Sequence, residues 1–128
     1  LDVTSPLRNL DDITGAYKQF VKEGADILIT ASPARKNPYF NMVEKVDGCI
    51  RKVKELKDPP IRRQDSPEVF DMNASIYIWK RSTLLEKDTL FTDKTTLFVM
   101  PEERSVDIDT ELDWEFVKFI TEKNDFYD

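Results

Sequence analysis

Ala25-Asp26-Ile27-Leu28-Ile29-Thr30 is a short, nearly continuous apolar run. That pattern suits a central strand buried on both faces. A helix is expected just before it. Asn9 is a good N-cap, Asp11 and Asp12 stand in the first turn where the helix dipole favours acids, and Leu10, Ile13, Tyr17, Phe20 and Val21 recur at helical spacing. Gly24 is a natural stop. Farther along, Asn73 to Trp79 reads as another buried strand, with Ile76, Tyr77 and Ile78 at its centre, and Thr95 to Met100 as a third. Ser82 is placed to cap a short helix through Glu86. Thr110 is placed to cap a last helix whose apolar face is Leu112, Phe116, Phe119 and Ile120. Alternating helix and buried strand point to an α/β layered sheet, in which ligands bind beyond the carboxyl ends of the strands.

Between these halves the texture changes. Asn41 to Val46 and Cys49 to Val53 flank Asp47-Gly48, a strong two-residue hairpin signal. Val43, Val46, Ile50 and Val53 give this arm a modest apolar content amid many charges. It would gain from packing on a partner. Pro59-Pro60 closes it, and Arg62 to Pro67 reads as a loop.

The chemistry-bearing stretch is Ser105-Val106-Asp107-Ile108-Asp109-Thr110-Glu111-Leu112-Asp113. Asp107 and Asp109 are two apart and follow the apolar run Thr96 to Met100. On extended backbone both carboxylates would project to one side. Such a pair at a strand end is a ready cradle for magnesium, or manganese in its place. Magnesium in turn suggests a phosphate-bearing substrate. Asp113 reads as a capping partner of Thr110 rather than a ligand.

With 128 residues the chain can form one domain around one core, residues 1–128, with the arm at 34–63 inserted in it. The net charge of −6 argues against nonspecific nucleic-acid binding, and no apolar run approaches a membrane span. One cysteine, Cys49, excludes an internal disulfide, suits a reducing compartment such as the cytoplasm, and reads as a small packing residue. There is no histidine, so chemistry must rest on carboxylates, hydroxyls, Arg, Lys and a hard cation. Leu1-Asp2-Val3 reads as the end of a buried strand, with an N-terminal portion expected before it.

Three segments resemble one family, in order and with compatible spacing. Thr4-Ser5-Pro6-Leu7-Arg8 resembles the TSPLR motif of the acylneuraminate cytidylyltransferases, the CMP-sialic acid synthetases. Arg63-Gln64, Phe70 and Asn73-Ala74-Ser75-Ile76-Tyr77-Ile78 are similar to that family's RQ…F…NGAIYI segment, and residues 105–113 to its SIDIDTELD block. The resemblance implies a three-layer, Rossmann-like nucleotidyltransferase sheet, incomplete at its N-terminus, with an inserted β-hairpin dimerisation arm. It implies an enzyme joining a nine-carbon 2-keto sugar acid to CTP, with magnesium on the triphosphate. By position, Asp107 and Asp109 match the metal-binding and catalytic aspartates. Arg63 and Tyr77 match the acidic-sugar site, with Asn73 at its edge. Residues 34–63 match the arm that builds a homodimer, with Phe40, Leu90 and Phe91 facing the partner.

There are departures. Asp2-Val3 stands where the family often has Gln-Pro, a Gln that helps read the sugar. Asn37-Pro38-Tyr39-Phe40 also lacks the lysine that some members place near Phe40, and both changes suggest a relative of the neuraminate enzymes that uses legionaminic acid, another bacterial nonulosonate or a deaminated sugar. The family's glycine- and lysine-bearing phosphate loop has no counterpart here, since the three glycines are Gly15, Gly24 and Gly48. The 128-residue chain is therefore expected to be inactive alone. Other readings are a dimerisation and sugar-binding module without catalysis, or a synthetase acting on the related sugar acid Kdo.

Overall fold

A computed structural model describes residues 1–124. They form two compact units, one of residues 1–32 with the chain from Met72 onward, the other Pro33–Asp71.

The first unit is α/β. Helix α1 (Leu10–Glu23) opens with a reciprocal capping box: the Asn9 side chain accepts from Asp12 N, and the Asp12 carboxylate accepts from Asn9 N, both at 3.0 Å. It ends at Gly24, whose left-handed φ of 61° lets its N–H reach back to the Phe20 and Val21 carbonyls. Strand β1 (Ile27–Pro33) follows and is buried at every position but the last. Strands β4 (Phe70–Trp79) and β5 (Thr95–Val99) flank it in the order β4-β1-β5. β1 and β5 are parallel, in register from Ile27 opposite Thr95 to Ala31 opposite Val99. On the other flank Lys80 N donates to Asp26 O at 2.9 Å. Ala16 of α1 meets Leu28, Ile76 and Met100 in one core cluster, joined by Ile13, Phe20, Ile78 and Phe98. A second cluster gathers Leu7 with Val117 and Ile120 of helix α3 (Glu111–Asn124), alongside Val106 and Ile108.

Several expectations change. Leu1 to Val3 is not a strand: Asp2 Oδ1 accepts from Thr4 N at 3.1 Å and Thr4 Oγ1 at 2.9 Å, a local turn that competes with extension. Ser82 does not cap helix α2 (Arg81–Glu86); Lys80 stands at the cap, and Ser82 lies inside the first turn. The apolar face of α3 is only partly the expected one. Ile120 is buried with Val117, but Leu112, Phe116 and Phe119 are exposed, because the Leu7 cluster engages a different side of the helix. Lys118 and Lys123 lie over the Trp114 and Phe119 rings, at 5.9 and 5.6 Å from the centroids.

The second unit contains the expected hairpin, β2 (Val43–Val46) paired antiparallel with β3 (Cys49–Lys52). Its turn places both Asp47 and Gly48 at positive φ, 51° and 82°, which is the geometry that favours Asp-Gly there. Cys49 is exposed, so it is not a packing residue; the hairpin is too thin to cover it.

Candidate functional site

The acids are not on a strand. Strand β5 ends at Val99, Met100 is fully buried, and a 3-10 turn (Glu102–Arg104) intervenes before an irregular stretch, 105–109. Proline at 101 sets this exit, since it removes a ladder donor and fixes φ. Asp107 and Asp109 therefore owe their placement to side-chain anchors rather than to sheet alternation.

The anchors are specific. Arg104 grips Asp12 through two parallel hydrogen bonds, Nε to Oδ2 at 2.8 Å and Nη2 to Oδ1 at 2.9 Å. Asp12 is only 3% exposed, and its carboxylate is shared with the α1 cap. The guanidinium is held above its usual value, chiefly by that hydrogen bond. One residue on, Ser105 Oγ donates to Pro101 O at 2.8 Å and accepts from Asn73 Nδ2 at 2.9 Å. After Asp107, Ile108 N donates to Thr4 O at 2.9 Å. Asp113 Oδ2 accepts from Thr110 N and Oγ1 at 2.8 and 2.7 Å, so Asp113 is a cap as expected, its carboxyl held below the ordinary range by those bonds.

Asp107 sits half-buried between these fixed points, and its Oδ1 is buried without a hydrogen-bond donor. Asp109 is exposed. A bare carboxylate oxygen removed from water is costly unless a cation meets it. No group of three or more His, Cys, Asp or Glu positioned for a metal exists among the described residues. Among the described residues the donor set there is limited to carboxylates such as Asp107 and Asp109, so a hard cation held by them would need water or substrate oxygens to complete its shell.

Tyr77 belongs to the same neighbourhood. Its phenol is pushed above the ordinary tyrosine value by burial first, then by the negative charges of Asp2 and Asp107. The ring stacks on Trp79, centroids 5.4 Å apart. Asp2 is half-buried and its carboxyl is held down by the Thr4 backbone and hydroxyl donors. Tyr77 thus feels the charges of two other residues singled out from sequence, Asp2 and Asp107.

Asn73 is placed differently. It is 5% exposed; its Oδ1 accepts from Thr30 Oγ1 at 2.7 Å and from Ser75 N at 3.2 Å, while Nδ2 serves Ser105. Ser5 Oγ donates to the Asn73 carbonyl at 3.1 Å. Arg8 donates to Ser5 O at 2.6 Å and so stabilises its own loop.

Arg63 lies in the second unit, exposed, in a short 3-10 turn (Arg63–Asp65). Its Nη2 donates to Ala34 O at 2.7 Å. It borders a recess of about 540 Å³ lined also by Asn37, Gln64, Ser66 and Glu68, and Ser66 Oγ is buried without a partner. Phe40 and Phe91 are exposed, and Leu90 is half-buried.

Sequence reasoning missed Arg104 as a partner of Asp12. In the sequence Asp12 reads only as a first-turn acid of a helix, and nothing local marks a pair 92 residues apart.

Comparison with known proteins adds the rest. Over 125 residues the chain is 48% identical to the "Post-translational flagellin modification protein B" of Campylobacter coli, covering 97% of this chain and 52% of that protein. It is 53% identical over 93 residues to a "CMP-N,N'-diacetyllegionaminic acid synthase" of Campylobacter jejuni, 73% of this chain and 39% of that one. An "N-acylneuraminate cytidylyltransferase" of Streptococcus agalactiae is 31% identical over 115 residues, 89% of this chain and 27% of that one. The chain is a homologue of the acylneuraminate cytidylyltransferases. It spans about half the length, or less, of the curated relatives it matches. No family model matches it. No helix among its described residues is long and apolar enough to cross a membrane.

Proposed function

We propose that this chain forms the cation and sugar side of a cytidylyltransferase that joins a nonulosonate to CTP. The anomeric hydroxyl oxygen of the sugar forms a bond to the α-phosphorus as its proton passes to solvent, the bond between that phosphorus and the α,β-bridging oxygen breaks, and pyrophosphate leaves. The observation that carries this reading is the Asp107 carboxylate, whose buried Oδ1 lacks a donor within the block shared with the family.

Asp107 and Asp109 would hold magnesium, or manganese in its place. When bound, the ion neutralises triphosphate charge and orients the reacting oxygens. Asp107 presents its bare oxygen from a fixed segment, so little reorganisation is needed. Arg63, in the second unit, carries a planar guanidinium of the kind that recognises a carboxylate. Tyr77 stays protonated at neutral pH and can donate its phenol O–H. Asp2 accepts from sugar hydroxyls or amides where a neuraminate enzyme has Gln. Together with the similarity to a protein named for diacetyllegionaminic acid, Asp2 favours that sugar or a close relative over neuraminate. The exposed Phe40 and Phe91, with Leu90, would face a second copy, and the arm at 34–63 would build the homodimer.

The 128 residues carry no glycine-rich phosphate loop, so alone they are expected to release no pyrophosphate from CTP, magnesium and either sugar. Manganese titration followed by electron paramagnetic resonance tests the cation half directly. Binding by the chain and its loss in Asp107→Asn supports the proposal; equal binding by both proteins refutes it.

A further inference from the structure

We propose that Ser105 is a positioning residue for the cation-binding carboxylates, an inference that rests on the reading of Asp107 just given. Two observations involve its hydroxyl and three concern the segment around it. It donates to Pro101 O at 2.8 Å, closing the 3-10 turn that redirects the chain out of β5. It accepts from Asn73 Nδ2 at 2.9 Å, and Asn73 is itself pinned to β1 through Thr30 Oγ1 at 2.7 Å. Its neighbour Arg104 is clamped to buried Asp12 of α1 by two charge-assisted bonds. Two residues later Asp107 points a carboxylate oxygen inward with no donor to meet it. One residue beyond, Ile108 N is tied to Thr4 O at 2.9 Å.

The physical argument is one of preorganisation. A carboxylate that could turn to solvent would do so rather than bury a bare oxygen. Asp107 keeps that oxygen inside because the backbone on both sides is fixed, by Ser105 and Arg104 before it and by Ile108 after it. Asn73, at 5% exposure, has its amide committed to Thr30, Ser75 and Ser105, so it serves this scaffold instead of touching substrate. The outer partners of metal-binding side chains commonly alter metal affinity about 10- to 100-fold when removed. Ser105 is the most direct handle on this network, since deleting one hydroxyl removes no side chain from either core cluster.

The test uses the full chain and manganese alone, in wild type, Ser105→Ala, Ser105→Thr and Asp107→Asn. Manganese affinity is read by paramagnetic resonance, and amide hydrogen exchange at Ile108 by NMR. Ser105→Ala is expected to weaken manganese binding by roughly ten-fold and to speed exchange at Ile108. Ser105→Thr, which restores the hydroxyl, should return both. Asp107→Asn should lose manganese while leaving Ile108 exchange unchanged. If Ser105→Ala binds manganese like wild type, the positioning role is overturned, whatever Asp107→Asn does. If Asp107→Asn binds as well as wild type, the reading of Asp107 fails and the inference fails with it, and that result is distinct from the first.

Discussion

Two ion pairs of nearly equal length behave as opposites in this molecule. Arg104–Asp12 is 2.8 Å long with its carboxylate 3% exposed, and it ties a helix cap to the segment bearing Asp107. Arg51–Glu44 is 2.9 Å long across the hairpin, with its side chains 58% and 40% exposed. The same contrast runs through the units that carry them. Strand β1 is buried along all but one position, whereas no residue of β2 or β3 is buried. In the first unit distant residues set how the elements pack; in the hairpin the local turn sets the register. Nearly equal lengths thus have different energetic meaning according to how many hydrogen bonds each pair makes and how much water each partner has lost.

The largest expected effect that sharpens this contrast is Leu28→Ala. Leu28 is fully buried in the α1 cluster, so truncation should cost about 4 kcal/mol. Ile50→Ala in the hairpin, at a residue 65% exposed, should stay within about 0.5 kcal/mol. Urea denaturation of both variants reads the difference, and similar losses would break the distinction. Next come the pairs themselves. Arg104→Met strands a buried carboxylate and should cost about 3 kcal/mol, the lower part of the usual range because Arg104 is partly exposed. Arg51→Met should cost under about 1 kcal/mol.

Backbone strain gives a smaller pair of effects. Ala74 holds φ at 52° inside β4, at the position where the family segment has Gly. Ala74→Gly should stabilise by about 0.5–1 kcal/mol, relief of left-handed strain partly offset by the freer unfolded chain. Gly48→Ala at φ 82° should destabilise by about 1 kcal/mol. Thermal melts of the two variants should move in opposite directions.

The smallest effect is a titration. Tyr77 ionises above the ordinary tyrosine value of about 10. Below that value the phenol is neutral in folded and unfolded chains alike. As pH rises past it, the unfolded chain releases its proton first, so stability falls until the pH exceeds the raised value. Removing one of the two negative charges in Asp107→Asn should bring the Tyr77 phenol down, as followed by absorbance near 295 nm. An unchanged titration would separate Asp107 from Tyr77.

What was legible in the sequence was whatever short-range chemistry controls. Asn9, Gly24, Asp47-Gly48 and Thr110 with Asp113 each act within a few residues, and each stands where the pattern placed it. The misreadings share one cause. Leu112, Phe116 and Phe119 have helical spacing, but spacing cannot say which side of α3 meets Leu7. Asp107 and Asp109 follow an apolar run, but the exit at Pro101 and the Arg104 clamp take them off the strand. Cys49 has the composition of a core residue and lacks a core to join.

The sequence by itself determined the helices, the hairpin turn, the strand buried on both faces and the family to which the acidic block is related, because capping, turn dihedrals and hydrophobic period are local properties. Only the tertiary structure decided that Asp12 meets Arg104, that Asn73 is spent on Ser105 and Thr30, and that one oxygen of Asp107 is left bare. Those pairings join residues tens of positions apart, where desolvation and side-chain reach, rather than spacing, set the outcome.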